Sequence, residues 1–449
     1  MKKRTFIKLS SAAVGGTVLS PLAGWEQKEK LRNWAGNLEY STNSLYGAKS
    51  VEQVQQFVKK TNKLKVLGSR HCFNRIADSR DHFISLKDMD KVIAIDAKAR
   101  TVTVEAGIKY GQLCPYLDEK GFALHNLASL PHISIAGACA TATHGSGVKN
   151  GNLSTAVAAI QMVTAGGEII EFSRAKDGSK FDAAVVNLGA LGIVTAVTLN
   201  IVPKFSMRQD VYLNLPLREV KDHFEEIMSG GYSVSLFTDW QKEIFSEVWV
   251  KSRLDETMKI KPGSDYFGAK PATKNLHPIV ELSAINCTEQ MGVAGPWYER
   301  LPHFRMGFTP SSGKELQSEF FIPRQHAVEA LLAVTALRDQ ITPHLFISEI
   351  RTIDGDTLLM SPCYKQPSIA IHFTWKPDWS SVLKVLPVIE QQLAPFQARP
   401  HWGKLFTMSP TKIKTLYNNL PAFQQLAKEY DPAGKFRNEF LDNTIYTAV

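Results

Sequence analysis

The sequence predicts an α+β chain of two domains followed by a helical tail, and three observations predict the two domains. Residues 33–203 mix helix-spaced apolar positions, paired strand-like runs and two glycine-punctuated polar loops. Residues 204–403 carry six strand-like runs (DVYLNLP, YSVSLFTDW, EVWVKSRL, LQSEFFIP, LFISEIRTI, SIAIHFTW) interleaved with helical ones such as HAVEALLAVTALRDQI. That interleaving argues for an antiparallel sheet covered on one face by helices. A chain of 449 residues is long enough to bury more than one core.

The first 25 residues read as a targeting segment rather than as part of the fold. MKKRTFIKLSSAAVGGTVLSPLAG begins basic and continues mildly apolar, too short and polar to span a bilayer. KRTFIK (Lys3 to Lys8) resembles the twin-arginine export signal, with Lys3 in place of one arginine. Export in folded form, to the periplasm or outside, is the expectation, with cleavage near Ala23. The alternative is a disordered basic tail on a cytoplasmic protein.

In residues 33–203, Val51, Val54, Phe57 and Val58 fall at helical spacing. VIAID and TVTVEAG alternate around a Lys98–Arg100 turn and predict a hairpin. IQMVTAGGEIIEF (Ile160 to Phe172) predicts a second, turning at Gly166-Gly167, and LGIVTAVTLNIV closes the domain as a strand. The polar loops are VLGSRHCFN (Val66 to Asn74) and NLASLPHISIAGACATATHGSG (Asn126 to Gly147). Glycine lets backbone N–H groups approach an anion, and a nest of them suits a pyrophosphate. His71 brings a nucleophilic nitrogen just past the Gly68-Ser69 turn. On spacing alone, a plain turn beside a histidine is an equal reading.

In residues 204–403 the polar positions alternate, and side chains in a strand alternate faces. Gln317 and Glu319 therefore share a face, as do Glu349 with Arg351 and His372 with Thr374, while Ile371, Phe373 and Trp375 take the other. A solvent-facing sheet and a pocket for a polyhydroxylated ligand both fit. The tail, residues 404–449, reads as helical with a break at Pro432 to Gly434.

Composition excludes several classes. The net charge of +9 comes from scattered Lys and Arg with no basic–aromatic ladder, so no nucleic-acid partner is expected. The five cysteines are odd in number and far apart, with no metal spacing, so neither a metal site nor a disulfide framework is expected. Gly145-Ser146-Gly147 is not a G-x-S-x-G nucleophile elbow.

NWAGN (Asn33 to Asn37), ASLPHIS (Ala128 to Ser134), THGSG (Thr143 to Gly147), LGALGIVT (Leu188 to Thr195), NCTEQ, LPHFR, LQSE, EIRT, HFTW and RPHWGK run in order along nearly the whole chain. Together they resemble the FAD-linked oxidases of the vanillyl-alcohol-oxidase superfamily, and within these the alditol (xylitol) oxidases, with sugar-lactone oxidases as more distant relatives. The resemblance implies an FAD domain of the p-cresol methylhydroxylase type, a substrate domain with an antiparallel sheet under covering helices, and a C-terminal segment returning to the FAD domain. It implies FAD held by Val66, Leu67, Gly68, Ser69, Arg70, His71, Cys72, Phe73, Asn74, Ser129, Leu130, Ser134, Gly137, Thr141, Ala142, Thr143, His144 and Gly145, with Ile193 beside the flavin. His71 would tether the cofactor covalently. The family's attachment loop reads GSGHSFN, so Arg70 and Cys72 are departures. Cys72 reads as a small buried residue in place of serine, with a second tether as the alternative.

The resemblance also implies oxidation of the terminal primary alcohol of a polyol such as xylitol or sorbitol, with oxygen as acceptor and hydrogen peroxide as product. Ser129, Gln317, Glu349, Arg351, Thr374 and Lys404 would surround the polyol. Arg351 and Lys404 would stabilise alkoxide-like charge, His372 would be the base, and Glu349 would orient Arg351. His401 reads as structural. The alternatives are a polyol or sugar-lactone dehydrogenase passing electrons to a quinone or cytochrome, and a secreted sugar-binding protein.

Overall fold

Alternation and turn chemistry build the sheets that position the site. The computed structural model describes residues 30–257, 263–306 and 315–446; the proposed export signal lies outside them. A small parallel sheet pairs β1 (Leu45–Gly47) and β2 (Leu64–Val66) on either side of β3 (His82–Ser85). Helix α1 (Val51–Lys60) is capped by the Ser50 hydroxyl and buries Val54 and Val58, as its spacing predicts.

Beside it lies an antiparallel five-stranded sheet of β4 (Val92–Asp96), β5 (Thr101–Glu105), β6 (Val157–Val163), β7 (Ile169–Ser173) and β8 (Ile193–Asn200). Its order is β4-β5-β8-β6-β7, so both predicted hairpins are present and β8 joins them.

The large sheet is built on β9 (Ser206–Pro216), β10 (Ser233–Thr238), β11 (Ile244–Arg253), β12 (Leu316–Pro323), β13 (Leu345–Ile353) and β14 (Ser368–Trp375). These run antiparallel in the order β9-β11-β10-β13-β14-β12, with short strands at both edges. Ile371, Phe373 and Trp375 pack in one core with residues of α2 (Leu217–Met228), α3 (Ala327–Thr335) and α4 (Trp379–Leu393). The helices thus cover one face, and the other carries the polar row.

Two helices are shorter than the sequence predicts. HAVEALLAVTALRDQI stops at Thr335, whose hydroxyl donates to the Leu331 carbonyl at 2.8 Å, and resumes at Arg338. Such back-bonding competes with the helical ladder. The tail is broken at Tyr417–Asn419 as well as near Pro432, giving α5 (Pro410–Leu416) and α6 (Leu420–Tyr430). Pro421 lies in the first turn of α6, where the missing N–H costs nothing, but it could not continue a helix from α5.

Ile413, Leu416, Phe423 and Leu426 pack in one core with Leu113, Val157 and Phe181. The Lys435 ammonium donates to the carbonyls of Val58 and Ala165 at 2.7 and 2.8 Å. From Leu31 onward the chain forms one compact unit.

Candidate active site

The two polar loops and the polar sheet face open onto one cleft. Its lining runs from the glycine loops at one end to Gln317, Glu349, Arg351, His372 and Thr374 at the other, so a cofactor at the loops and a substrate at the sheet can lie in one continuous space.

At the loop end, Val66, Leu67, Gly68, Ser69, Arg70, His71 and Cys72 form one wall, and Ser129, Leu130, Ser134, Gly137, Thr141, Thr143 and His144 form the facing one. The walls are joined where the Ser134 N–H donates to the Ser69 hydroxyl at 3.1 Å. Glycine is needed at this junction: a Cβ at Gly68 or Gly137 would lie 3.0 or 2.8 Å from the Ser134 hydroxyl oxygen. That oxygen is buried without a partner, as is Nε2 of His71. Orphaned polar atoms beside a glycine cradle fit an anionic cofactor that supplies the missing contacts.

His71 packs against Trp34 and His132, with ring centroids 4.5 and 4.7 Å away. Burial, then the nearby His132 and Lys404, hold its imidazole well below the usual range, so a ring lone pair is free. Burial pushes the Cys72 thiol up to about 11, so it stays protonated and a poor nucleophile. Arg70 does take the left-handed conformation, φ 64°, in place of the family's glycine. Its carbonyl accepts from the Trp34 N–H at 2.8 Å.

Five expected cofactor residues do not line the cleft. Ile193 is fully buried in a core with Val54, Leu64 and Ile84, while Val194, one residue on and so on the opposite face, lines the cleft. Ala142 and Gly145 lie behind the loop surface. Phe73 and Asn74 act from behind: the Phe73 N–H donates to the Gly403 carbonyl, and the Asn74 amide donates to the carbonyls of Trp402 and Lys404 at 2.8 and 2.7 Å. They fix the turn that presents Lys404, whose ammonium lies over the Phe73 ring, 4.6 Å from its centroid.

At the sheet end, Gln317, Glu349, Arg351, His372 and Thr374 line the cleft and are at most 9% exposed. The solvent-facing alternative is thereby removed. The register places Glu319, His372 and Glu349 in one row across β12, β14 and β13. Alternation places Glu319 on this face beside Gln317 without giving it a role; the structure makes it the hub. Its Oε1 accepts from Arg351 Nη2 at 2.7 Å, lies 3.1 Å from His144 Nε2 and 3.6 Å from His372 Nδ1. Burial pushes this carboxyl up, but His144 and Arg351 outweigh it and hold it well below its usual range.

Arg351 also faces Glu349 (Nε to Oε1, 3.6 Å) and reaches the Ser129 hydroxyl at 3.4 Å. Burial opposes its charge, and the two carboxylates more than restore it. Lys404 donates to Gln317 Oε1. Burial lowers its pKa, against the pull of Glu319 and Glu315. Burial likewise lowers His372, against the pull of Glu319; its Nε2 lies 3.2 Å from the Thr374 hydroxyl and its Nδ1 faces Glu319. His401 Nδ1 accepts from the Gly403 N–H at 3.0 Å and braces the Lys404 turn, a structural role.

The five cysteines are all free. Among the described residues no group of His, Cys, Asp or Glu could hold a metal ion, and no helix is long and apolar enough to cross a membrane.

A cradle for a phosphate-bearing cofactor that opens onto a buried, charge-paired sheet face defines a flavin-dependent oxidoreductase. Residues 44–173 match the FAD binding domain family, and residues 309–444 match the D-arabinono-1,4-lactone oxidase family. An alditol oxidase of Streptomyces sp. is 44% identical over 92% of this chain and 98% of its own length. The L-gulono-1,4-lactone dehydrogenase of Mycobacterium tuberculosis is 27% identical, over 92% and 98%. A solvent-stable cholesterol oxidase shares the fold, with a TM-score of 0.75 at 15% identity over 93% of this chain and 97% of its own. The chain belongs to the alditol oxidase family of FAD-linked oxidases, within the vanillyl-alcohol-oxidase superfamily.

Proposed function

We propose that this enzyme oxidises the terminal primary alcohol of an alditol, such as xylitol or sorbitol, to the aldose. The observation that carries the reading is the buried row of Glu319, His372 and Glu349, with Arg351 between the carboxylates, on the same cleft as His71. Many fixed donors and acceptors in a small space suit a ligand with many hydroxyls. Bound FAD supplies the two-electron acceptor.

The protein's own groups do the rest. Ser129, Gln317, Glu349 and Thr374 hold hydroxyls along the substrate chain. Neutral His372 takes the proton of the reacting hydroxyl. Arg351 and Lys404 stabilise the negative charge that develops on that oxygen. The alcohol loses two electrons and two protons, which dioxygen finally accepts, so one aldehyde and one hydrogen peroxide form per turnover. A lactone or polyol dehydrogenase using another acceptor is the second reading, favoured by the similarity to the mycobacterial dehydrogenase.

A visible spectrum separates these readings. Xylitol or sorbitol added without oxygen should bleach the flavin bands, and air should restore them with peroxide appearing. Bleaching by an aldonolactone and not by any polyol would sink the first reading.

We further propose that FAD is joined covalently to the His71 ring, forming a C–N bond at the loss of one N–H and one flavin C–H. The two electrons and two protons released go to dioxygen. Folded export through the Lys3–Lys8 motif completes the proposal: replacing both Lys3 and Arg4 should retain flavin-linked activity inside the cell. Activity confined to the native host's cytoplasm from the start would refute it.

A further inference from the structure

Further along the same polar face stands a buried lysine with no part in the chemistry above. Lys251, on β11, is 1% exposed. An ammonium has three donors and no acceptor. Three acceptors surround this one: the carbonyls of Leu301 at 2.6 Å and Pro302 at 3.0 Å, and His303 Nδ1 at 2.9 Å. The other nitrogen of that ring, Nε2, lies 2.7 Å from Glu349 Oε1 on β13. His303 lines the cleft, and its N–H and that of Phe304 both donate to the Ser129 carbonyl at 3.1 Å. One turn therefore ties the cofactor-side loop, the polar sheet and the buried lysine together.

These contacts, together with the burial of the His303 ring, favour one distribution of protons. Burial pushes the Glu349 carboxyl up, but Arg351 and His303 outweigh it and keep it ionised. A carboxylate only accepts, so the hydrogen between it and His303 belongs to Nε2. Lys251 fills Nδ1 from the other side, so the ring is neutral. Burial and then the Lys251 charge keep His303 down at about 4, in agreement. Burial also lowers Lys251 well below its usual value, while Glu349 pulls it back up. A neutral amine could keep all these contacts only beside a His303 imidazolium, and burial of that ring disfavours the cation, so the ammonium with a neutral ring is favoured.

We propose that Lys251 and His303 are positioning residues of the substrate pocket: Lys251 fixes the neutral Nε2–H tautomer of His303, which holds Glu349 ionised and turned to receive substrate hydroxyls beside Arg351. The last role rests on the polyol reaction proposed above; the tautomer does not.

Full-length, flavin-loaded enzyme labelled with ¹⁵N-histidine tests the tautomer, with the His303 signals assigned by their loss in His303→Gln. The expected ring is neutral, protonated on Nε2, and unchanged from about pH 6 to pH 8, where an ordinary histidine titrates. A proton on Nδ1, or a doubly protonated ring in that range, overturns the proposal whatever the substrate.

Kinetics test the role. Lys251→Met should raise KM for the polyol by ~10-fold or more, the scale of one hydrogen bond to a charged group, with a smaller fall in kcat. KM should also become pH-dependent on the acid side, because His303 could then take a second proton. The charged groups acting on that ring are Lys251 from β11 and Glu349 and Arg351 from β13, and Cys287 and Arg300 act in turn on Lys251.

In a His303→Gln background, whose amide can still donate to Glu349, Lys251→Met should add little. Additive effects would show that Lys251 does not act through His303 and would overturn the proposal. If Lys251→Met does not fold, the tautomer and the KM of His303→Gln decide. A wild-type enzyme that oxidises no polyol refutes the proposed function, and the tautomer still stands or falls on its own spectrum.

Discussion

Lys404→Ala and Arg351→Ala are each expected to slow anaerobic reduction of the flavin by polyol ~100-fold or more, the size of losing one donor aimed at developing charge. The two variants should differ in stability. Lys404 is held by Gln317 and the Phe73 ring, and the two carboxylates that act on it, Glu319 and Glu315, keep donors in Arg351 and Gln317. Arg351 lies between Glu319 and Glu349, all three buried. Removing it leaves two carboxylates without their shared cation, a loss of about 3–5 kcal/mol for a broken buried pair. Arg351→Ala should therefore also lower Tm, whereas Lys404→Ala should melt close to wild type.

Arg351→Lys keeps the charge but not the planar fork that reaches Glu319 and Ser129, so it should recover stability better than rate. His372→Ala should slow the same half-reaction while leaving the flavin spectrum near normal. Stopped-flow reduction is the deciding measurement. Wild-type rates in the Lys404, Arg351 and His372 variants together would show that the chemistry happens elsewhere.

The second large effect is on the cofactor bond. In wild-type protein precipitated with acid, the flavin is expected to stay with the pellet; in His71→Ala it should wash wholly into the supernatant. The motive is the orphaned Nε2 of a neutral His71, packed by Trp34 and His132 on the cleft wall. Cys72→Ser should leave the bond intact, because the Cys72 thiol is held protonated. Flavin retained in the His71→Ala pellet would move the attachment to Cys72. Flavin lost from wild-type protein would end the covalent reading altogether, with Arg70 at φ 64° the first place to look.

Much of this site is legible along the chain because it depends on local rules. Strict alternation puts Gln317, Glu349, Arg351, His372 and Thr374 on one face and Ile371, Phe373 and Trp375 on the other, and the fold keeps that division. The loop from Val66 to Cys72 is likewise read from its glycine, serine and histidine, and it does line the cleft. Local rules fail where one residue changes the face. Ile193 turns into the core and Val194 outward, and a resemblance carried at the level of a motif does not separate them.

What alternation cannot supply is which strands adjoin and what reaches them from elsewhere. The order β13-β14-β12 alone makes Glu319, His372 and Glu349 a single row. Glu319 becomes the hub because His144 arrives from a loop 175 residues away in sequence. Lys404 joins the site through a turn clamped by Phe73 and Asn74 from the far end of the chain. Lys251 and His303 meet across 52 residues, and nothing near either in sequence announces the other. The sequence by itself determined which faces are polar and which loop can hold a cofactor, since both follow from backbone geometry over a few residues. Only the tertiary structure decided how the charges are paired, because ionisation in a buried site depends on partners brought together by long-range packing.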